Sequence, residues 1–311
     1  MGVRFPEMQP KAESPRITLS QRQEEEIIKC TGPAIVRLYG LLSDFVKFFG
    51  SGILVELDGT IYVVTAKHVI EKKLETDLSG NSLYEGMGQS TGSKTLITKV
   101  TTPIYSNAPP RDIAVARLPI EDLKQSDAVP INLRSVPQYT PLLLSELLIA
   151  HGYPDALTKT LRLLNGSFSR SFPLFACEEP CGCKWFDPKI HFAIGFPARH
   201  LEQRGILVEG MDPQGMSGCP VWTTNIVSRG SNWSSNDIQL IGMAIAWDMA
   251  SQVLICVRIE YFWVLFFDVL QREFAYFRWI DRGMPPNDDQ ADWHAAKRHV
   301  RDLENSLWKR G

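Results

Sequence analysis

Gly215-Met216-Ser217-Gly218-Cys219-Pro220-Val221 sets a serine in a tight turn between two glycines, just ahead of the apolar segment Pro220-Val221-Trp222. Without a β-carbon, Gly215 and Gly218 allow positive φ and a close approach of backbone to a ligand. Such a turn exposes a hydroxyl and aims backbone N–H groups at one point, which is what stabilising an oxyanion requires. A serine is a weak nucleophile on its own. It needs a base within reach, and the base needs a third group to orient it.

Both partners are found upstream at strand edges. Thr65-Ala66-Lys67-His68-Val69 follows the β-branched run Ile61-Tyr62-Val63-Val64, and Arg111-Asp112-Ile113-Ala114-Val115-Ala116-Arg117-Leu118 opens an alternating strand. His68 and Asp112 are 44 positions apart. The order His, Asp, Ser is one of the known chain orders for a catalytic triad.

These blocks resemble the T-A-x-H, D-I-A and G-x-S-G-G-P segments of the trypsin-like (chymotrypsin-fold) serine peptidases, with Cys219 in place of the last glycine. The resemblance covers roughly residues 32 to 265. It implies an all-β fold of two six-stranded-type barrels with the site in the cleft between them. Barrel one would occupy about 32–130 and barrel two about 140–260. Residues 1–31 would form an N-terminal extension with a short helix, and 266–311 a C-terminal helical extension.

The resemblance also assigns roles. His68 would act as general base and then general acid, Asp112 would hold its tautomer, and Ser217 would attack a carbonyl to form an acyl-enzyme. The N–H groups of Gly215 and Ser217 would form the oxyanion hole, and the primary pocket would involve Met211, Asp212, Ile245, Ala246 and Trp247. Trp247 stands where the family often has glycine, which favours a small or apolar P1 residue, with a basic one as the competitor if Asp212 points inward. The family's digestive members carry an aspartate just before the serine, which pairs with a newly cut N-terminus. Met216 occupies that position here, so the zymogen switch is expected to be missing.

Composition fits a folded chain: 44% of the 311 residues are hydrophobic and 22% charged. A net charge of −2 gives no reason to expect a nucleic-acid partner. The start Met1-Gly2-Val3-Arg4-Phe5-Pro6 has no apolar h-region and the longest apolar run, Tyr261 to Phe267, is too short for a bilayer, so the expectation is a cytoplasmic protein without membrane contact. No cofactor is expected. The partner is expected to be a protein or peptide substrate, with a regulatory protein or self-association through 288–308 as a further partner.

Ser20 and Gln23 read as a capping box that starts a helix ending near Gly32-Pro33. Asp58-Gly59 between apolar runs reads as a two-residue hairpin. Residues 79–95, rich in Gly and Ser, read as a long surface loop. From Glu260 the pattern turns helical, and a last helix from Asn287 or Asp288 places Trp293, Ala296, Val300, Leu303 and Leu307 on one stripe. That stripe either folds back on the barrels or serves a partner.

Cys177, Cys181, Cys183 and His191 form a weak zinc candidate, but the spacing C-x3-C-x-C-x7-H matches no common structural site, and loop thiols are the simpler reading. The expected activity is a serine endopeptidase of narrow specificity or partner-gated activity. The competing expectation is a catalytically weak protease fold used as an interaction module.

Overall fold

The computed structural model describes residues 19–42, 45–70, 84–90, 95–98, 104–107, 110–118, 128–143, 145–154, 170–177, 183–196, 201–203, 206–208, 213–285 and 289–308. Helix α1 (Gln21–Thr31) starts at the expected capping box: the Ser20 hydroxyl accepts from the Gln23 N–H, and the Gln23 side chain accepts from the Ser20 N–H.

The first sheet contains β1 (Ile35–Leu42), β2 (Phe45–Leu57), β3 (Thr60–Ala66), β4 (Tyr84–Ser90), β5 (Thr95–Thr98), β6 (Ile104–Asn107), β7 (Ile113–Leu118) and the short β8 (Ile131–Asn132). Its order is β5-β4-β1-β2-β3-β7-β6, antiparallel throughout, with β8 added parallel to β2. The β2–β3 hairpin turns at Asp58 (φ 52°) and Gly59 (φ 78°), the two left-handed residues that match the twist of the flanking strands.

The second sheet contains β9 (Leu147–Gly152), β10 (Arg170–Cys177), β11 (His191–Gly195), β14 (Pro220–Thr223), β15 (Gln239–Asp248) and β16 (Val253–Arg258), and it closes in the order β10-β11-β16-β15-β14-β9. Two further strands, β12 (Leu201–Gln203) and β13 (Ile206–Val208), pair only with each other. Two closed barrels were expected. Among the described residues only the second sheet closes; the first is open. Residues 84–90, inside the 79–95 stretch expected as loop, are a strand: β4 pairs with β1 from Arg37 to Leu41. Gly and Ser content signals a loop locally, but a partner strand distant in sequence supplies the ladder.

Alternation along the second sheet places one set of side chains inside it and the other against the rest of the protein. From β9, Leu148 and Ala150 join the inner cluster with Phe192, Ile194, Met216, Cys219 and Val221. Leu147 and Ile149 face the larger cluster, which also takes in Ile53, Val63 and Val115 of the first sheet. Helix α2 (Glu260–Asp281) follows β16 and buries Phe262, Leu265, Phe266 and Val269 in that larger cluster. It reaches the first sheet, where Phe266 meets Tyr62 edge-on and the Tyr62 hydroxyl donates to Glu273 at 3.1 Å.

Helix α3 (Asp289–Trp308) packs on α2, not on the sheets as the fold-back expectation had it. Asp292, 1% exposed, takes ion pairs from Arg278 and Arg282, and His299 stacks on Phe274. Ala296 and Val300 are buried, while Trp293 is 41% exposed at the edge of the hairpin. No described helix is long and apolar enough to cross a membrane.

A buried histidine joins α1 to the second sheet. The Thr31 hydroxyl donates to the Ile27 carbonyl, so toward His151 Nδ1, 2.7 Å away, it accepts, and the proton sits on Nδ1. Burial pushes the His151 pKa down to about 3 from an ordinary 6.5. Above pH 6.5 this costs the fold nothing. As pH falls from 6.5 toward 3 the unfolded chain takes up a proton that the folded chain refuses, so stability drops by up to about 1.4 kcal/mol per pH unit. His151→Asn keeps a donor for Thr31 and removes the titration. Urea unfolding at stepped pH should therefore show a shallower loss between pH 6 and pH 4 in the variant than in the wild type.

Candidate active site

His68 lies in the helical turn that follows β3, and Asp112 immediately precedes β7, the neighbour of β3. The pairing of Ala66 with Ile113 brings the two together. His68 Nδ1 is 2.6 Å from Asp112 Oδ2, and the His68 N–H donates to Asp112 Oδ1 at 3.1 Å. The Lys67 N–H donates to the Asp112 carbonyl at 2.9 Å. Asp112 holds a left-handed φ of 48°, uncommon outside glycine, so its carboxylate faces back toward the end of β3. Its side chain is 16% exposed and that of His68 35%, which leaves the outer edge of the imidazole open to a ligand.

The serine turn sits against the same sheet. The Met216 N–H donates to Pro213, closing one turn with Gly215 at φ 94°, and the Cys219 N–H donates to Met216, closing a second with Gly218 at φ 86°. Gly218 N–H donates to Ala244 of β15 at 2.8 Å. The N–H groups of Gly215 and Ser217 donate to no protein acceptor among the described residues. These are the two donors expected to form the oxyanion hole.

Ser51 of β2 fastens this turn. Its N–H donates to the Ser217 carbonyl at 2.8 Å and its hydroxyl to the Gly215 carbonyl at 2.9 Å. The same hydroxyl accepts from the Tyr153 N–H, and the Ser51 carbonyl accepts from the Thr65 hydroxyl at 2.6 Å. A β-carbon at Gly218 would collide with the Ser51 carbonyl and the Thr65 hydroxyl, so only glycine permits this approach. A β-carbon at Gly50 would lie 2.8 Å from both the Ser217 carbonyl and a Val69 methyl, which puts the serine turn beside the residue that follows His68. No hydrogen bond joins Ser217 Oγ to His68 Nε2 among the described residues.

Met216 is fully buried in the inner cluster of the second sheet, so apolar packing holds the position expected to lack an ion pair. Cys219 is also fully buried, and burial pushes its thiol up to about 12, which keeps it protonated and unreactive. Ile245, Ala246 and Trp247 lie on β15 beyond its pairing with β14. Ile245 is buried, Ala246 and Trp247 are half-buried, and Trp247 packs on the cluster that holds Met216. Met211 and Asp212 lie outside the described residues.

The zinc candidate loses a ligand. His191 Nδ1 accepts from the Asp187 N–H at 3.0 Å and Nε2 lies 2.6 Å from the Pro110 carbonyl, so both ring nitrogens are engaged. Cys183 is a free thiol, while Cys181 and the side chain of Cys177 lie outside the described residues. Among the described residues no group of three His, Cys, Asp or Glu could hold a metal. A groove of about 560 Å³ opens between α2 and α3, lined by Tyr276, Trp279 and Trp293 among others, and shares no residue with the His68 site.

Sequence reasoning missed Ser51, because a serine inside an apolar strand carries no local signature. Ser51→Ala removes two hydrogen bonds, one to the part-buried Gly215 carbonyl and one from the buried Tyr153 N–H. We expect a loss of about 1–3 kcal/mol for the lost bonds, read as a lower urea midpoint. Slower reaction of Ser217 with an activated phosphonate should accompany it.

A trypsin-like peptidase domain model matches residues 50–226, and a second model, described as a protein of unknown function (DUF2934), matches residues 272–302. No curated protein gives a significant match. Solved structures similar to the chain include Deg5, at 18% identity, covering 78% of this chain and 92% of that one with a TM-score of 0.47. The active form of the Rv3671c protease from M. tuberculosis is 17% identical, covering 81% and 88% with a TM-score of 0.43. The serine endoprotease from Yersinia pestis is 15% identical, covering 78% and 64% with a TM-score of 0.44. With more than half of its length matched by one family model, the chain belongs to the trypsin-like peptidase domain family.

Proposed function

We propose that this chain is a serine endopeptidase that cleaves peptide bonds through His68, Asp112 and Ser217. The observation that carries the reading is the 2.6 Å contact between His68 Nδ1 and Asp112 Oδ2, beside a turn with two backbone N–H groups that find no acceptor among the described residues. In this scheme Asp112 accepts a hydrogen bond from Nδ1–H, which leaves Nε2 as the base that takes the Ser217 proton. The serine oxygen adds to the scissile carbonyl, and the Gly215 and Ser217 N–H groups receive the oxyanion. Nε2 then protonates the leaving amine. Water attacks the acyl-enzyme by the same route and restores Ser217. Each oxyanion donor contributes about 3–4 kcal/mol in comparable sites. Residues 32–265 would carry the chemistry and the flanking segments would be additions to it.

The missing Ser217–His68 hydrogen bond favours a second reading, in which the fold serves mainly as an interaction module and the site is weak or waits for a partner. Catalytic hydrogen bonds often tighten only in the substrate complex, so the bond's absence in the free chain does not decide against catalysis.

A fluorophosphonate probe separates the two readings. Wild type should label at Ser217, while Ser217→Ala and His68→Ala should not, and Asp112→Asn should label about 10³–10⁴-fold more slowly. A folded wild type that stays unlabelled would favour the interaction module. For specificity, a P1 peptide library should show preference for small or apolar residues, because Trp247 occupies the strand that runs past the serine turn. Dominant cleavage after Arg or Lys would shift the assignment to Asp212.

A further inference from the structure

The turn that carries Asp112 is held from outside its own sheet. His191, at the start of β11 in the closed second sheet, is fully buried. Its Nδ1 accepts from the Asp187 N–H at 3.0 Å, so its one ring proton is on Nε2. That proton is donated to the carbonyl of Pro110, 2.6 Å away and two residues before Asp112. Burial lowers the His191 pKa, in keeping with a neutral ring, although the bond to Pro110 opposes the shift. Trp185 meets the ring edge-on at 5.4 Å and Phe186 packs at 5.6 Å, which leaves the imidazole little freedom to rotate. A second anchor comes from α2, where the Arg111 guanidinium lies 5.0 Å over the Tyr261 ring.

We infer that His191 is a positioning residue for the reaction: through its bond to the Pro110 carbonyl it fixes the backbone turn that aims Asp112 at His68. The inference rests on the reading of His68, Asp112 and Ser217 as a working triad. Asp112 holds a left-handed φ of 48°, sparsely populated outside glycine, and such a conformation persists only where its surroundings over-determine it. Within the first sheet the turn is tied by Lys67 and His68 to Asp112 itself. Pro110, having no N–H, can be held through its backbone only at its carbonyl, and His191 is the group that holds it. The site therefore depends on the second sheet at two places: the serine turn and, through His191, the aspartate turn.

Two variants test this on the full chain. His191→Asn keeps an acceptor for the Asp187 N–H, but its shorter amide stops short of Pro110. His191→Gln restores a donor at the reach of Nε2. Two readouts are independent of activity: hydrogen exchange at the Lys67 and His68 amides, both donated to Asp112, and the low-field NMR signal of the His68 Nδ1 proton. The third readout is the labelling rate at Ser217. In His191→Asn we expect faster exchange at both amides, a shifted or broadened proton signal, and labelling slowed by about 10–100-fold, as misplacement of a catalytic group produces. His191→Gln should return all three toward wild type.

Wild-type exchange and an unchanged proton signal in His191→Asn would overturn the inference. So would His191→Gln behaving like His191→Asn, since the ring's packing alone would then be what matters. If wild type itself does not label, the triad reading fails, and the two spectroscopic readouts still decide whether His191 positions Asp112. If His191→Asn does not fold, His191→Phe, which keeps the ring volume without the donor, takes its place with the same expected and overturning results.

Discussion

Everything at the site depends on one residue of β2 facing one turn of the second sheet. Ser51 spends its N–H on the Ser217 carbonyl and its hydroxyl on the Gly215 carbonyl. Two peptide planes are thereby fixed in the four-residue stretch where orientation matters most. Along the turn the Met216, Gly218 and Cys219 N–H groups find protein acceptors, and those of Gly215 and Ser217 find none among the described residues. Two glycines serve the same end: a β-carbon at Gly50 would crowd the Ser217 carbonyl and Val69, and one at Gly218 would collide with the Ser51 carbonyl and the Thr65 hydroxyl.

Packing takes over a task that a charge performs elsewhere in the family. Met216 is sealed among Leu148, Ala150, Phe192 and Val221, and no ion pair is needed to hold the turn. A buried thioether is indifferent to pH and salt, so the packing that holds this position does not titrate. Cys219 fills the next layer of the same cluster as a small apolar group, its thiol suppressed by burial.

Much of this was legible in the sequence, and the exceptions have a common cause. The capping box at Ser20 and Gln23, the hairpin at Asp58-Gly59 and the start of helix α2 at Glu260 were readable because each signal lies within a few residues. The approach of His68 to Asp112 followed from two strand-edge motifs that happen to pair. Strand β4 was read as loop because its glycines hide a ladder supplied by β1, and β10 went unread because Pro173 interrupts it. Ser51 and His191 were missed for the same reason. Their partners Gly215 and Pro110 lie 164 and 81 residues away. His191 looked like a metal ligand only because nearby cysteines were the one local pattern available. The stripe on α3 was readable as a stripe, but its partner α2 was not, since periodicity gives a face and not what covers it.

Helix α2 gives the architecture a temporal consequence. Tyr261, in its first turn, holds Arg111, and β15, just upstream, receives Gly218. A chain leaving the ribosome thus presents His68, Asp112 and Ser217, together with their anchors Ser51 and His191, before β15 and Tyr261 have emerged. Long-range contacts of this kind also form late, because loop closure must be met first. The nascent chain therefore carries all three side chains before the last of these contacts, that of Arg111 with Tyr261, can form.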